Sequence, residues 1–182
     1  YPIRDGNLVN LVAVEKRDNW VAEGWHHADK RENLERSFEH WPTDVLKLLS
    51  VAENVNLWGL FSHSLPKKWH SAGIVLIGDS CHPMVPFLGQ GANMAIEDAW
   101  VLAEELDGSI DMEDGFKKYQ SRRYKRIKKV SLASSSNGDI YHAVGVKANI
   151  IDLGMKASYK FKPSFIQSKY DWLYGVDVSR GD

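Results

Sequence analysis

Between positions 78 and 93 the chain reads Gly78-Asp79-Ser80-Cys81-His82-Pro83-Met84-Val85-Pro86-Phe87-Leu88-Gly89-Gln90-Gly91-Ala92-Asn93, and good helix formers follow. Residues 73–78 ahead of it are apolar throughout, which predicts an internal strand covered on both faces. Asp79 would then stand at a strand's C-terminal end, where open α/β sheets bind ligands. Gly89 and Gly91 let backbone approach a ligand. A helix opening at Gly91 or Ala92 starts with N–H groups that lack intrahelical partners. Its dipole, equivalent to roughly half a positive charge at that end, favours a carbonyl or an anion. Asp79 accepts hydrogen bonds and cannot donate, so it suits a hydroxyl of the same ligand. Stretch 78–93 therefore has the chemistry of a ligand cradle.

The elements that must position this stretch are legible around it. The helix from Gly91 runs to about Leu106, with Ala95, Asp98, Ala99, Leu102 and Leu106 on one side and Asp107-Gly108 ending it. From Met112 to about Ala133 a second helix gathers Phe116, Tyr119, Ile127 and Val130 into one narrow arc with Arg123 inside it, so Arg123 is expected to be partly buried and to need a carboxylate. Ser134-Ser135-Ser136-Asn137-Gly138 predicts a break. Upstream, residues 8–14 after Asp5-Gly6 read as a mostly buried strand, and Trp20 to Trp25 as a stretch able to pair with it. Asp29 and Glu32 resemble a helix start, with Leu34, Phe38 and Trp41 on one face and a stop near Pro42. Thr43 or Asp44 would cap a further helix through Leu46 and Leu49, and Asn56 to Ser62 reads as a strand. The tail Tyr170-Asp171-Trp172-Leu173-Tyr174-Gly175 is too aromatic for a disordered linker.

Composition narrows the function classes. The 182 residues are 43% hydrophobic and 26% charged with net charge -1, ordinary for a globular domain and without global attraction to nucleic acid or an anionic membrane. The single cysteine, Cys81, cannot form an internal disulfide or a Cys-x-x-Cys zinc half-site; it reads as a small buried residue in a reducing, cytoplasmic setting. No apolar run approaches a membrane span, and the first residues lack signal-peptide character. The histidines form no metal site, and six of seven tryptophans fall before position 101, which predicts a dense aromatic core. Eight Lys or Arg residues and no acidic ones lie between Phe116 and Val130, read as a solvated helix face in preference to a surface for nucleic acid or an anionic partner.

Gly78, Asp79, His82, Pro86, Gly89, Gly91, Asn93, Asp98 and Ala99 together resemble the second FAD-binding motif of the single-component aromatic-ring flavoprotein monooxygenases, the salicylate hydroxylase and p-hydroxybenzoate hydroxylase group. Leu65-Pro66-Lys67-Lys68-Trp69 and the closing Tyr170 to Leu173 are similar to the same family. The resemblance implies an α/β fold: a partial FAD-binding domain of the Rossmann-like, glutathione-reductase type, strands of a mixed substrate-binding sheet, and C-terminal helices. It divides the chain into 1–65, part of the substrate-binding sheet; 66–108, the C-terminal portion of the FAD-binding domain; and 109–182, a helical segment packed on it. By the same resemblance Asp79 holds the ribityl chain of FAD, and the backbone of Gly89, Gln90, Gly91, Ala92 and Asn93 meets the pyrimidine end of the flavin ring. Pro86 borders the space where flavin and substrate meet, and Leu11, Ala13 and His63 are candidates for the pocket wall. The implied partners are a small aromatic substrate, O2 and NADH or NADPH, in a possible homodimer; no catalytic residue and no metal is assigned. No Gly-x-Gly-x-x-Gly fingerprint for the ADP half occurs in these residues, so a C-terminal part of such an enzyme is expected, one that is not expected to act without the ADP-binding half.

Two other readings carry weight. Gly78-Asp79-Ser80, Gly91-Ala92-Asn93 and Asp139-Ile140-Tyr141-His142 mimic the blocks of a Gly-Asp-Ser serine esterase, although Ser80 and Asn93 stand too close in sequence to end different strands. A non-catalytic, degenerate flavoprotein or interaction module is the other.

Overall fold

The computed structural model describes residues 1–17, 27–161 and 168–180. They form two compact units, Tyr1–Leu60 and Phe61–Asp182.

In the first unit β1 (Pro2–Ile3) and β2 (Leu8–Val9) make a small hairpin, Pro2 opposite Val9 and Ile3 opposite Leu8. The expected strand over 8–14 is thus only two residues long, and Leu11, Val12 and Ala13 are exposed with no regular structure. Val9 already pairs with Pro2, the first residue of β1, so among the described residues Leu11 and those after it have no ladder partner for their amides. The stretch Trp20 to Trp25 lies outside the described residues. β3 (His27–Asp29) pairs antiparallel with β4 (Val55–Leu57), and α1 (Arg31–Ser37) and α2 (Thr43–Ser50) lie between them in sequence. Asp29 marks the start of α1 as expected: its Oδ1 accepts from the Lys30 N–H (2.8 Å) and from Asn33 Nδ2 (2.6 Å). α1 stops a turn before Pro42, because Phe38 turns inward and Trp41 packs edge-on against it at 5.6 Å.

In the second unit β5 (His70–Ser71) and β6 (Ile74–Val75) form another antiparallel hairpin through Ala72 and Gly73, both at positive φ. This corrects the expected internal strand over 73–78: among the described residues β6 has β5 as its one neighbour, and Ile74 is 68% exposed. The apolar run supplies strand propensity, but coverage of both faces needs further layers.

α3 (Gly91–Asp107) and α4 (Met112–Tyr141) pack side by side and carry most of the core. α3 buries Met94, Asp98 and Val101, a face rotated from the expected one, which leaves Ala99 exposed. α4 buries Phe116, Tyr119, Arg123, Ile127 and Val130, the arc its spacing gives, and Asp111 caps it by accepting from the Asp114 N–H at 2.9 Å. No break occurs at 134–138; the helix runs on to Tyr141 with Ser134 and Gly138 buried. Trp69, Cys81, Met94, Val101, Tyr119, Ile127, Val130 and Leu173 form one apolar cluster, and each fully buried large apolar side chain contributes roughly 1.5–3 kcal/mol. Of the aromatic core expected, Trp69 and Tyr119 lie in this cluster with Tyr124, Tyr170 and Trp172 packed against it, whereas among the described residues Trp41, Trp58 and Trp100 are more than half exposed. α5 (Gly145–Phe161), which sequence reading did not place, buries none of its residues. The aromatic tail folds as a short helix, Asp171–Tyr174, that docks Leu173 into the cluster.

Candidate functional site

Two 3-10 turns and the start of α3 compose the site. The first turn, Gly78–Ser80, leaves β6 and presents Asp79 to solvent. It lies so close to α3 that a Cβ on Gly78 would meet the Ala95 Cβ at 3.0 Å. The second, Pro86–Leu88, closes on Gly89 at φ 62, a left-handed conformation that glycine adopts without strain. The Gly89 N–H donates to the Pro86 carbonyl at 2.9 Å.

α3 then opens without a cap. Gln90 precedes it in an αR-like conformation and supplies no side-chain cap, and its first turn holds no acidic residue. The Gln90 side chain is buried and used sideways: its Nε2 donates to the Leu88 carbonyl (3.3 Å) and its Oε1 accepts from Asn93 Nδ2 (3.4 Å). The first helical bond runs from the Met94 N–H to the Gln90 carbonyl (2.9 Å), so the N–H groups of Gly91, Ala92 and Asn93 precede the helical ladder. The Asp79 carboxylate stands beside them, its Oδ1 3.9 Å from where a Cβ on Gly91 would lie. A row of donors and a carboxylate acceptor therefore share one small surface.

A buried charge network anchors that surface. Asp98, fully buried on α3, accepts from the Gly78 N–H (3.0 Å), His82 Nε2 (2.5 Å) and Arg123 Nε (2.8 Å). Because an ionised carboxylate only accepts, His82 donates to it through Nε2. Arg123, also buried, reaches Glu97 Oε2 at 2.5 Å and the Met94 carbonyl at 3.3 Å. Glu97 in turn holds both sides of the Arg126 guanidinium at 2.7 Å, and Arg126 reaches on to the Leu173 carbonyl at 3.1 Å. Burial opposes ionisation of Asp98, but the bonds from His82, Gly78 and Arg123 outweigh it and hold its pKa below the usual carboxylate value. Burial likewise opposes ionisation of Glu97, and Arg126 and Arg123 prevail there too. Burial, with Asp98 near, pushes the Cys81 thiol up to about 12.

α4 grips the second turn. Ser134 Oγ donates to the Val85 carbonyl (2.6 Å) and Asn137 Nδ2 to the Phe87 carbonyl (3.3 Å). At Gly138 a Cβ would come within 2.6 Å of Phe87 Cε2, so only glycine admits this ring. The Phe87 ring is flanked by Tyr141 and His142 at 5.9 and 5.8 Å. Sequence reading missed these positions because Ser, Asn and Gly in a row look like a helix break. Here their small size lets a turn approach the helix.

Of the residues expected at the site, Asp79, Pro86, Gly89, Gln90, Gly91, Ala92 and Asn93 come together on these three consecutive pieces. Gln90 is buried; Asp79, Pro86, Gly89, Ala92 and Asn93 are exposed. Leu11 and Ala13 belong to the first unit and His63 to the second. His63 lines a cleft of about 410 Å³ with Lys128 and Leu132, and Pro86 does not border it. The esterase constellation is not assembled: Ser80 Oγ donates to the Ile77 carbonyl (2.7 Å) within its own turn, and His142 Nδ1 meets the Gly138 carbonyl at the end of α4 (2.8 Å). On α4, Arg122, Arg123 and Arg126 are tied to carboxylates and Lys129 lies 4.0 Å over the Trp172 ring.

Residues 12–134 match the FAD binding domain family. The chain belongs to this family. Its curated relatives include 3-amino-4-hydroxybenzoate 2-monooxygenase of Streptomyces platensis, 35% identical over 98% of this chain, and 3-hydroxybenzoate 6-hydroxylase 1 of Aquipseudomonas alcaligenes, 31% identical over 98%. In both cases the chain spans 44% of the relative's length. A salicylate hydroxylase substrate complex has the same fold over 99% of this chain and 44% of its own, with TM-score 0.76 at 24% identity. The fold is thus mixed α/β and corresponds to part of that FAD-binding architecture. Among the described residues no helix is long and apolar enough to cross a membrane.

Proposed function

We propose that the turn–turn–helix junction receives the flavin-ring end of FAD in a monooxygenase that hydroxylates a small aromatic substrate with O2 and NADH or NADPH. The observation that carries this reading is the uncapped start of α3 with the Asp79 carboxylate beside Gly91. The donor set fits the cofactor. Asp79 can accept from ribityl hydroxyls, and the amides of Gly91, Ala92 and Asn93 can donate to the carbonyl and nitrogen of the pyrimidine ring. Bound there, FAD supplies the redox and oxygen chemistry. The chain's own contribution is to bind and orient: the helix start favours negative charge developing on that ring, and the Asp98 network keeps the amides from relaxing. Pro86, exposed beside them, would border the substrate, with Leu11, Ala13 and His63 as further candidates. Segments 1–65, 66–108 and 109–182 would serve as substrate sheet, flavin end and helical brace. The relatives' activities support an aromatic substrate; a homodimer is part of the same proposal.

The test is a chimera in which this chain replaces the aligned part of the Streptomyces platensis relative. A yellow protein whose NADH or NADPH oxidation depends on an aromatic acid is expected. A folded but colourless chimera that takes up no FAD would contradict the proposal.

A further inference from the structure

A second cleft, away from the residues of that junction, is strongly cationic. It has a volume of about 570 Å³ and lies between residues 67–70 and α4, with Lys67, Lys68, Lys117 and Lys125 on its wall. One carboxylate, Glu113, accompanies these four ammonium groups, and its Oε1 lies 3.1 Å from Nδ1 of the buried His70. Among the described residues none of the four lysines has an ion-pair partner, whereas Lys118 on the same helix is paired with Asp114 at 2.8 Å. The backbone that carries the first two is fixed. Gln120 bridges from α4, its Oε1 accepting from the Trp69 N–H and its Nε2 donating to the Lys67 carbonyl, both at 2.9 Å. The Trp69 ring packs against Tyr124 at 5.7 Å. Four like charges gathered on two separately anchored segments repel one another unless an anion lies between them.

We propose that this cleft binds a compact polyanion of the diphosphate class. Several negative oxygens on one small group can meet ammonium donors from both walls at once, and lysine serves such oxygens as a mobile point charge. A single phosphate spans fewer of them. The site is independent of the flavin junction, so its test needs no cofactor.

The test is calorimetric titration of the full chain with inorganic pyrophosphate at low ionic strength. Parallel titrations use inorganic phosphate, ADP, and the variants Lys68→Ala/Lys117→Ala/Lys125→Ala and Lys156→Ala; Lys156 is an exposed lysine on α5. Saturable pyrophosphate binding is expected, weakened by salt as screening shortens the reach of the charges. Since an exposed charge contact contributes about 1.4-fold to fivefold, the triple variant should bind between about threefold and about a hundredfold more weakly, and Lys156→Ala as the parent does. ADP binding as tightly as pyrophosphate would identify a nucleotide-borne diphosphate; pyrophosphate alone would identify the free anion. Either result upholds the assignment. Absence of saturable binding, equal affinity for phosphate and pyrophosphate, or a triple variant (circular dichroism unchanged) that binds like the parent would overturn it.

Discussion

Replacing Asp98 by Asn tests what holds the junction together. Asp98 satisfies three donors with two oxygens: the Gly78 N–H and His82 Nε2 on one, and Arg123 Nε on the other. An asparagine keeps one oxygen and turns an NH2 toward either the first pair or the guanidinium, so at least one buried donor faces another donor. Breaking a buried ion pair from one side costs about 3–5 kcal/mol. Arg123 keeps its bond to Glu97, which places the expected loss near the lower end, about 3 kcal/mol of the roughly 5–15 a domain has. The pH dependence has a definite sign. The native pKa of Asp98 lies below its unfolded value of about 3.9, so its stabilisation is present above that value and is lost as pH falls through the native one. Urea unfolding followed by helical circular dichroism should therefore show a gap of about 3 kcal/mol between parent and variant at pH 7 that narrows below about pH 4. A gap under about 1 kcal/mol at pH 7, or one that stays constant down to pH 3, would refute the reasoning.

Other substitutions probe separate links. Asp79→Ala in an FAD-loaded chimera should weaken flavin retention about tenfold or more, the worth of a hydrogen bond to a charged group, while Lys128→Ala leaves it unchanged; flavin fluorescence on dilution reads both. Gly138→Ala should destabilise by up to about 2 kcal/mol, because displacing the Phe87 ring costs more than the ~1 kcal/mol gained in helix propensity. Its hydrogen exchange should speed up at residues 86–90, and a stabilised variant would contradict the close approach seen there. Cys81, buried and with its thiol pushed up to about 12, should react with a disulfide reagent at pH 8 only as fast as the protein opens; immediate labelling of the native chain would contradict this.

The local conformation of stretch 78–93 is more legible in the sequence than the extent of the strands. Asp79, Gly89 and Gly91 announce themselves because their chemistry is local: a carboxylate, a left-handed turn and a helix start depend on neighbours within a few positions. The Phe116–Val130 arc was equally readable, and the carboxylate that Arg123 required is supplied by Asp98 and Glu97. Strand length is not legible there, since an apolar run such as 73–78 records propensity and burial, while strand length is set by partners elsewhere in the chain. Residues 134–138 misled for a related reason. Serine, asparagine and glycine weaken an isolated helix, yet α4 tolerates them where they admit the Val85–Phe87 backbone. Low helix propensity there records a tertiary contact that no local pattern discloses.

The most direct test of the flavin assignment is an amide NMR titration of the 15N-labelled chain with FAD. The largest saturable shifts should fall on Gly91, Ala92 and Asn93, with Asp79 next, and Asp79→Ala should lower the affinity. Saturable shifts centred on another surface, with these four amides unmoved, would contradict that assignment.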